Sequence, residues 1–84
     1  SLALVASAQE ITGSLLGTVR DANGAAVNGA TVTITDAEKR VVVRSVTTNE
    51  DGQFSAPLLQ SGLYEISVEA NGFKKQVERG IKLI

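Results

Sequence analysis

The sequence has 84 residues, the length of one small domain. It contains no cysteine and no histidine, which excludes disulfides, Cys/His metal sites and catalysis by a thiol or an imidazole. Eight basic and nine acidic residues give a net charge of −1. Nucleic acids and anionic membranes require a concentrated basic surface, so this balance argues against both as the main partner. No segment approaches the roughly 20 apolar residues of a membrane span, and direct membrane insertion is not expected.

The first eight residues form an apolar run, Leu2–Val5, followed by Ala6-Ser7-Ala8. An apolar run before a small-x-small pattern is typical of the end of a secretory signal peptide. We therefore predict that residues 1–8 are a signal-peptide remnant, that the mature chain begins at Gln9, and that the protein is exported. The alternative interpretation of the same residues is an ordinary apolar first strand.

The remaining residues alternate between short strand patterns and turns. Strict two-residue alternation in 30–35 and 63–70 predicts strands with one apolar and one polar face. The Asn23-Gly24 pair predicts a hairpin, and Asn71-Gly72 predicts a second turn. The run Val41–Val43 predicts a strand that is buried on both faces or bulged, and Gly80 predicts a bend or bulge in the last strand. No window has the helical period, so the sequence predicts an all-β sandwich or barrel.

The three aromatic residues follow glycine-containing turns in the second half of the chain. Gly52 precedes Phe54, whose side chain alternation places in the core. The pattern Leu59-x-x-Gly62-x-Tyr64 predicts a tyrosine corner, in which the hydroxyl returns to upstream backbone. In this interpretation Gly62 leaves room for the tyrosine ring and Leu59 packs under the turn. A core tyrosine with its hydroxyl in solvent is the alternative.

Candidate binding residues are few. Gly72 turns the chain just before Phe73. The alternating pattern places Phe54 and Tyr64 in the core, so Phe73 is the one aromatic expected at a hairpin tip. We regard it as a weak candidate ligand-binding residue. The acidic turn 49–52 has too few oxygen ligands for calcium, which favours a solvated turn. Glu65 and Glu69 share an outer strand face without an apolar pocket beside them, which does not favour general acid–base catalysis. We therefore predict no enzyme activity, no metal and no cofactor.

Taken together, the motifs resemble those of the carboxypeptidase regulatory-like domain, a transthyretin-like seven-stranded sandwich. The matching pieces are Gly17-Thr18-Val19-x-Asp21, Asn23-Gly24, Gly29-Ala30-x-Val32, Thr48-Asn49-x-x-Gly52-x-Phe54, Leu59-x-x-Gly62-x-Tyr64 and Asn71-Gly72-Phe73. The resemblance implies a small Greek-key sandwich of six to seven strands over residues 9–84. It also implies a non-catalytic spacer or docking module, as found at the N-terminus of TonB-dependent receptor-like outer-membrane proteins. The expected location is then the periplasm or outer membrane of a bacterium, and the expected partner is a protein or the remainder of the parent chain.

Two alternatives of other classes follow from related folds. A carbohydrate-binding module would require exposed aromatic platforms, which this sequence does not supply beyond Phe73. Adhesin or stalk domains of similar fold lock themselves with a Lys–Asn isopeptide bond. Val19 and Val68 align near the lysine and the glutamate that this chemistry needs, so the resemblance to adhesins is one of fold alone.

The sequence departs from the family pattern at Asn28 and Gln60-Ser61, where prolines are usual, and at its end. The family continues after the position of Ile84 into a final strand, and the absence of that strand would leave an open sheet edge. Two sources are expected to fill such an edge: the segment Leu2–Ala8 folding back, or a second molecule forming a strand-mediated homodimer.

Overall fold

The computed structural model is a sandwich of two antiparallel β-sheets. It describes the backbone of residues 3–11 and 13–84 and the side chains of 3–8 and 13–84; Ser1, Leu2 and Thr12 lie outside the described residues. One sheet has the strand order β1-β2-β5 and the other β4-β3-β6-β7. The strands are β1 (Leu4–Ile11), β2 (Ser14–Asp21), β3 (Thr31–Asp36), β4 (Val41–Thr47), β5 (Gln53–Ala56), β6 (Gly62–Glu69) and β7 (Gln76–Leu83). The predicted fold class is confirmed. No helix in 3–11 or 13–84 has the length and apolar character needed to cross a membrane.

A single apolar layer between the sheets forms the core. Successive side chains of a strand point to opposite faces, so the alternating segments of β3 and β6 each send every second residue inward. The largest fully buried side chains are Leu15, Val19, Val32, Ile34, Ile66 and Val68. They come from β2, β3 and β6, the strands that have a neighbour on both sides.

The valine run Val41–Val43 is bulged but not buried. The β3–β4 register shifts between Ile34 and Thr35, leaving Val43 without a ladder partner, and all three valines are exposed. The expectation of burial on both faces is therefore wrong, because β4 is the edge strand of its sheet. Arg44 pairs with Ile34 and thus holds an inward-facing position, and its Nη1 donates to the carbonyl of Pro57 at 2.9 Å. A bulge and an inward charge are both features that protect edge strands from unwanted pairing.

Asn23-Gly24 forms a turn but does not join two paired strands. Asp21 Oδ1 accepts hydrogen bonds from the backbone N–H groups of Asn23 and Ala25, which fixes the turn. The hairpin that the sequence predicted is limited to one bridge, between Arg20 and Ala26. The chain then crosses to the other sheet and buries Val27 on the way, so the next strand, β3, is not a neighbour of β2. Burial of one apolar side chain outweighs the local hairpin signal here.

The predicted irregularity at Gly80 is present. Gly80 has a φ of 74°, and the β6–β7 register shifts between Tyr64 and Ile66. Before the shift Tyr64 faces Ile81, and after it Ile66 faces Glu78. A bulge of this kind requires a residue that tolerates a left-handed backbone, which glycine does without steric penalty.

The N-terminal apolar segment lies at a sheet edge. Strand β1 pairs with β2 over eight residues, from Leu4 opposite Asp21 to Ile11 opposite Ser14. The described part of the segment that was expected to fold back, Leu4–Ala8, thus occupies the outer side of β2. Its removal as a signal peptide and the strand-mediated homodimer both stay predictions.

Candidate functional site

The corner around Tyr64 has the geometry that the sequence pattern requires. The Tyr64 hydroxyl donates to the carbonyl of Gln60 at 2.6 Å, and the ring is buried in the core. Leu59 is buried next to it, and the Leu59 N–H donates to the carbonyl of Gly13 at 2.7 Å. This second bond ties the corner to the turn between β1 and β2. The corner is therefore a structural device that connects the two sheets.

Gly62 does not have the steric role that the sequence suggested. A Cβ added there would lie 3.8 Å from Tyr64 Cε2, an ordinary van der Waals contact, and its backbone does not have the left-handed φ. The expectation that glycine is needed to make room for the ring is wrong. The Tyr64 ring lies far enough away to accept a methyl group.

Gly17 is the glycine that close packing requires, although the sequence indicated only its place in the Gly17-Thr18-Val19-x-Asp21 motif and no packing role. Gly17 and Phe54 are register partners on β2 and β5, and the Phe54 ring lies where a side chain of residue 17 would be. An added Cβ would also overlap the carbonyl oxygen of Ser7 on β1. Packing an aromatic ring over a cross-strand glycine is a known way to stabilise such a position. Gly52 is similarly constrained, since its φ is 73° and an added Cβ would overlap the Val19 carbonyl.

Thr48 connects two crossing loops inside the molecule. It is the buried polar side chain of the core in the described part of the chain. Its hydroxyl donates to the Val27 carbonyl at 2.7 Å and accepts from the Ala30 N–H at 2.9 Å. Burying a hydroxyl is unfavourable unless it is hydrogen-bonded, and here both its donor and its acceptor functions are used.

The carboxylates of the described side chains are not clustered. Among the described residues, no three Asp or Glu side chains come together as metal ligands would. Glu65 Oε2 lies 3.9 Å from Arg79 Nε, and Glu69 Oε1 lies 3.8 Å from Lys75 Nζ. Exposed ion pairs of this kind contribute little to stability.

The acidic turn is held by its own amide. Asn49 Oδ1 accepts from the N–H groups of Asp51 and Gln53, at 2.9 and 3.0 Å. The side-chain oxygen that would face a cation is thus engaged in the turn itself, as in an Asx-turn. Gly52 completes the turn by donating its N–H to the Asn49 carbonyl at 2.9 Å. The solvated turn that the sequence favoured is the arrangement observed.

Phe73 is less available to a ligand than its place at a hairpin tip suggested. Its side chain is half-buried and packs against the core. Gly72, beside it, has a φ of 83° and open space around its α-carbon, so it serves the turn. Ligand binding at Phe73 stays a prediction.

A shallow depression of about 580 Å³ crosses the outer face of the three-stranded sheet. Its polar lining consists of uncharged hydroxyl and amide groups from Ser7, Thr18, Thr47, Asn49, Gln53 and Ser55. Because no titratable side chain lines it, the depression has no group suited to general acid–base chemistry.

The edge of β5 is closed at both ends. The Asn49 N–H donates to the Gln53 carbonyl at 3.0 Å, and the Gln53 N–H donates to the Asn49 side-chain oxygen Oδ1 at 3.0 Å. The carbonyl of Pro57 accepts from Arg44. A four-residue strand with its ends occupied offers little template for another chain. The candidate functional surfaces are therefore the other strand edges.

The chain matches the carboxypeptidase regulatory-like domain family over residues 14–84. It belongs to this family. No match is found among curated proteins or solved structures. Membership of the carboxypeptidase regulatory-like family indicates a non-catalytic module.

Replacing Tyr64 by phenylalanine should lower the free energy of unfolding by about 1 kcal/mol, the usual net contribution of one hydrogen bond. Urea unfolding measures the change. Ser61→Ala removes an exposed hydroxyl from the same loop and should change stability by less than about 0.5 kcal/mol. Equal stability of Tyr64→Phe and the unmodified chain would show that the bond to Gln60 contributes nothing.

Gly17→Ala should destabilise the domain by about 1–3 kcal/mol, because the new methyl group overlaps Phe54 and the Ser7 carbonyl. Gly62→Ala is the matched control and should be neutral, since its methyl group meets only an ordinary contact. Thermal unfolding of both variants gives the comparison. If the two substitutions had the same effect, the packing assigned to Gly17 would be contradicted.

Proposed function

We propose that this carboxypeptidase regulatory-like domain is a spacer or docking module of an exported bacterial protein. Within that class we propose an outer-membrane receptor-like parent of the TonB-dependent kind, with the domain at its N-terminal end. The main support for the proposal is that the chain has the sandwich fold of this family, in which the core residues and the Tyr64 corner have structural roles. Among the described residues, no group of three or more carboxylates that could hold a metal ion is present.

Export is supported by the first eight residues. Small residues at Ala6 and Ala8 follow an apolar run, as at a signal-peptidase site. In the proposed parent protein, cleavage would follow Ala8 and place the domain in the periplasm or at the outer membrane. The same segment forms the first part of β1, so cleavage and strand formation compete for these residues.

Docking is supported by the sheet edges. Edge strands bind other chains through main-chain hydrogen bonds, without requiring particular side chains on the partner. We propose a protein partner, or the remainder of the parent chain, as the binding partner of this module. The balanced charge is consistent with a surface that is not specialised for nucleic acid.

The two alternative functions gain no specific support. Val19 and Val68 are fully buried where a self-locking adhesin would hold its lysine and glutamate, so neither can take part in an isopeptide bond. For a carbohydrate-binding module, the half-buried Phe73 offers only part of its ring as a platform.

The export proposal predicts a defined mature N-terminus. When the chain is expressed in a bacterium behind the basic and apolar regions of a complete signal peptide, the periplasmic product should begin at Gln9. Intact-mass spectrometry identifies this end. Ala8→Leu replaces a small residue that the peptidase prefers and should block cleavage, whereas Val5→Leu should leave it unchanged. Retention of residues 1–8 in the exported chain would contradict the proposal.

A further inference from the structure

Among its described residues, strand β1 contributes one large side chain to the core. Its inward side chains are Leu4, at 3% exposure, followed by the small Ala6 and Ala8. Val5, at 56% exposure, lies on the outer face. Because buried apolar area sets the hydrophobic contribution, Leu4 supplies most of what the described side chains add to holding this strand.

The other edge of β1 has no ladder. Within residues 3–11 and 13–84, the one hydrogen-bonded neighbour of β1 is β2, and β1 contacts β7 of the second sheet across the side of the sandwich. The connection to β2 consists of residues 12 and 13, with Gly13 at a φ of 75°. Detachment of β1 would therefore break its hydrogen-bond ladder with β2 and its contact with β7. The pairing of β2 with β5 and the pairings within the four-stranded sheet would be kept.

We propose that the outer edge of β2 is a strand-acceptor site, which takes an extended segment from a partner in place of β1. The site selects a strand antiparallel to β2. Such a strand places an aliphatic side chain opposite Asp21, as Leu4 does, and a small one opposite Val19, as Ala6 does. Main-chain hydrogen bonds to β2 provide affinity, and the two inward positions provide selectivity.

The acceptor site specifies the proposed docking function in more detail. It depends on that function only for the step that uncovers β2, the removal of residues 1–8. Removal of residues 1–8 on export would uncover β2 from Gly17 to Asp21 and leave only the part of β1 after Ala8. The acceptor property itself depends on the β2 edge alone, so it can be tested without export.

The test uses the full chain with two matched substitutions in β1. Leu4→Asp places a charge in the core and opposite Asp21, which should release β1 from the sheet. Val5→Asp introduces the same charge on the exposed face, opposite Arg20, and should leave β1 in place. The probe is a fluorescently labelled synthetic peptide of residues 3–9.

The peptide should bind the Leu4→Asp variant at least about tenfold more tightly than the Val5→Asp variant, as measured by fluorescence anisotropy. Peptide in excess should also raise the Tm of the Leu4→Asp variant by about 5 °C or more. A control peptide carrying Leu4→Asp should neither bind nor stabilise. If the Leu4→Asp chain is unfolded alone, the peptide should restore the strand signal in far-UV circular dichroism.

Equal peptide binding to both variants would overturn the proposal, as would a Leu4→Asp chain that the peptide neither stabilises nor folds. An uncleaved N-terminus in the export experiment would contradict the proposed function and leave this result unaffected. The two failures are therefore distinguishable.

Discussion

The apolar layer between the two sheets is the constraint on which the rest of the molecule depends. With no cysteine in the sequence and no metal-binding cluster among the described residues, burial in this layer is the main source of stability. Its positions are set by two-residue alternation in β2, β3 and β6, and its ends are closed by specific contacts. Phe54 packs over Gly17, and the Tyr64 hydroxyl binds the Gln60 carbonyl. The polar groups of Thr48, Asn49 and Tyr64 serve the architecture through hydrogen bonds to the backbone.

The strands and their inward faces could be predicted from the sequence because alternation and turn residues act locally. The regular patterns of β3 and β6, the bulge at Gly80 and the end of β5 before Pro57 follow from such local rules. What the sequence could not show is which strands become neighbours. Asn23-Gly24 marks a turn whether the chain pairs with itself or crosses between sheets, and in this fold the chain crosses and buries Val27.

The contacts missed at the candidate site are those that form between distant parts of the chain. The need for glycine at residue 17 arises from Phe54 and Ser7, which lie on two different strands. The role of Thr48 arises from Val27 and Ala30, which lie in one loop 21 and 18 residues away in sequence. In the sequence, Arg44 resembles any charged residue of an exposed strand. In the fold its side chain points inward and donates a hydrogen bond to the Pro57 carbonyl. The order of strands at the edges, on which the proposed acceptor site at β2 depends, follows from the assembled sheets alone.

The central claim is that β1 is paired with β2 yet held less firmly than the core strands. Amide hydrogen exchange of the full chain, followed by NMR, measures this difference directly. The account predicts that β1 amides bonded to β2 are protected but exchange at least about tenfold faster than those of β3 and β6, through local detachment. Exchange of β1 only together with global unfolding, at the rate of Ile34 and Ile66, would contradict it.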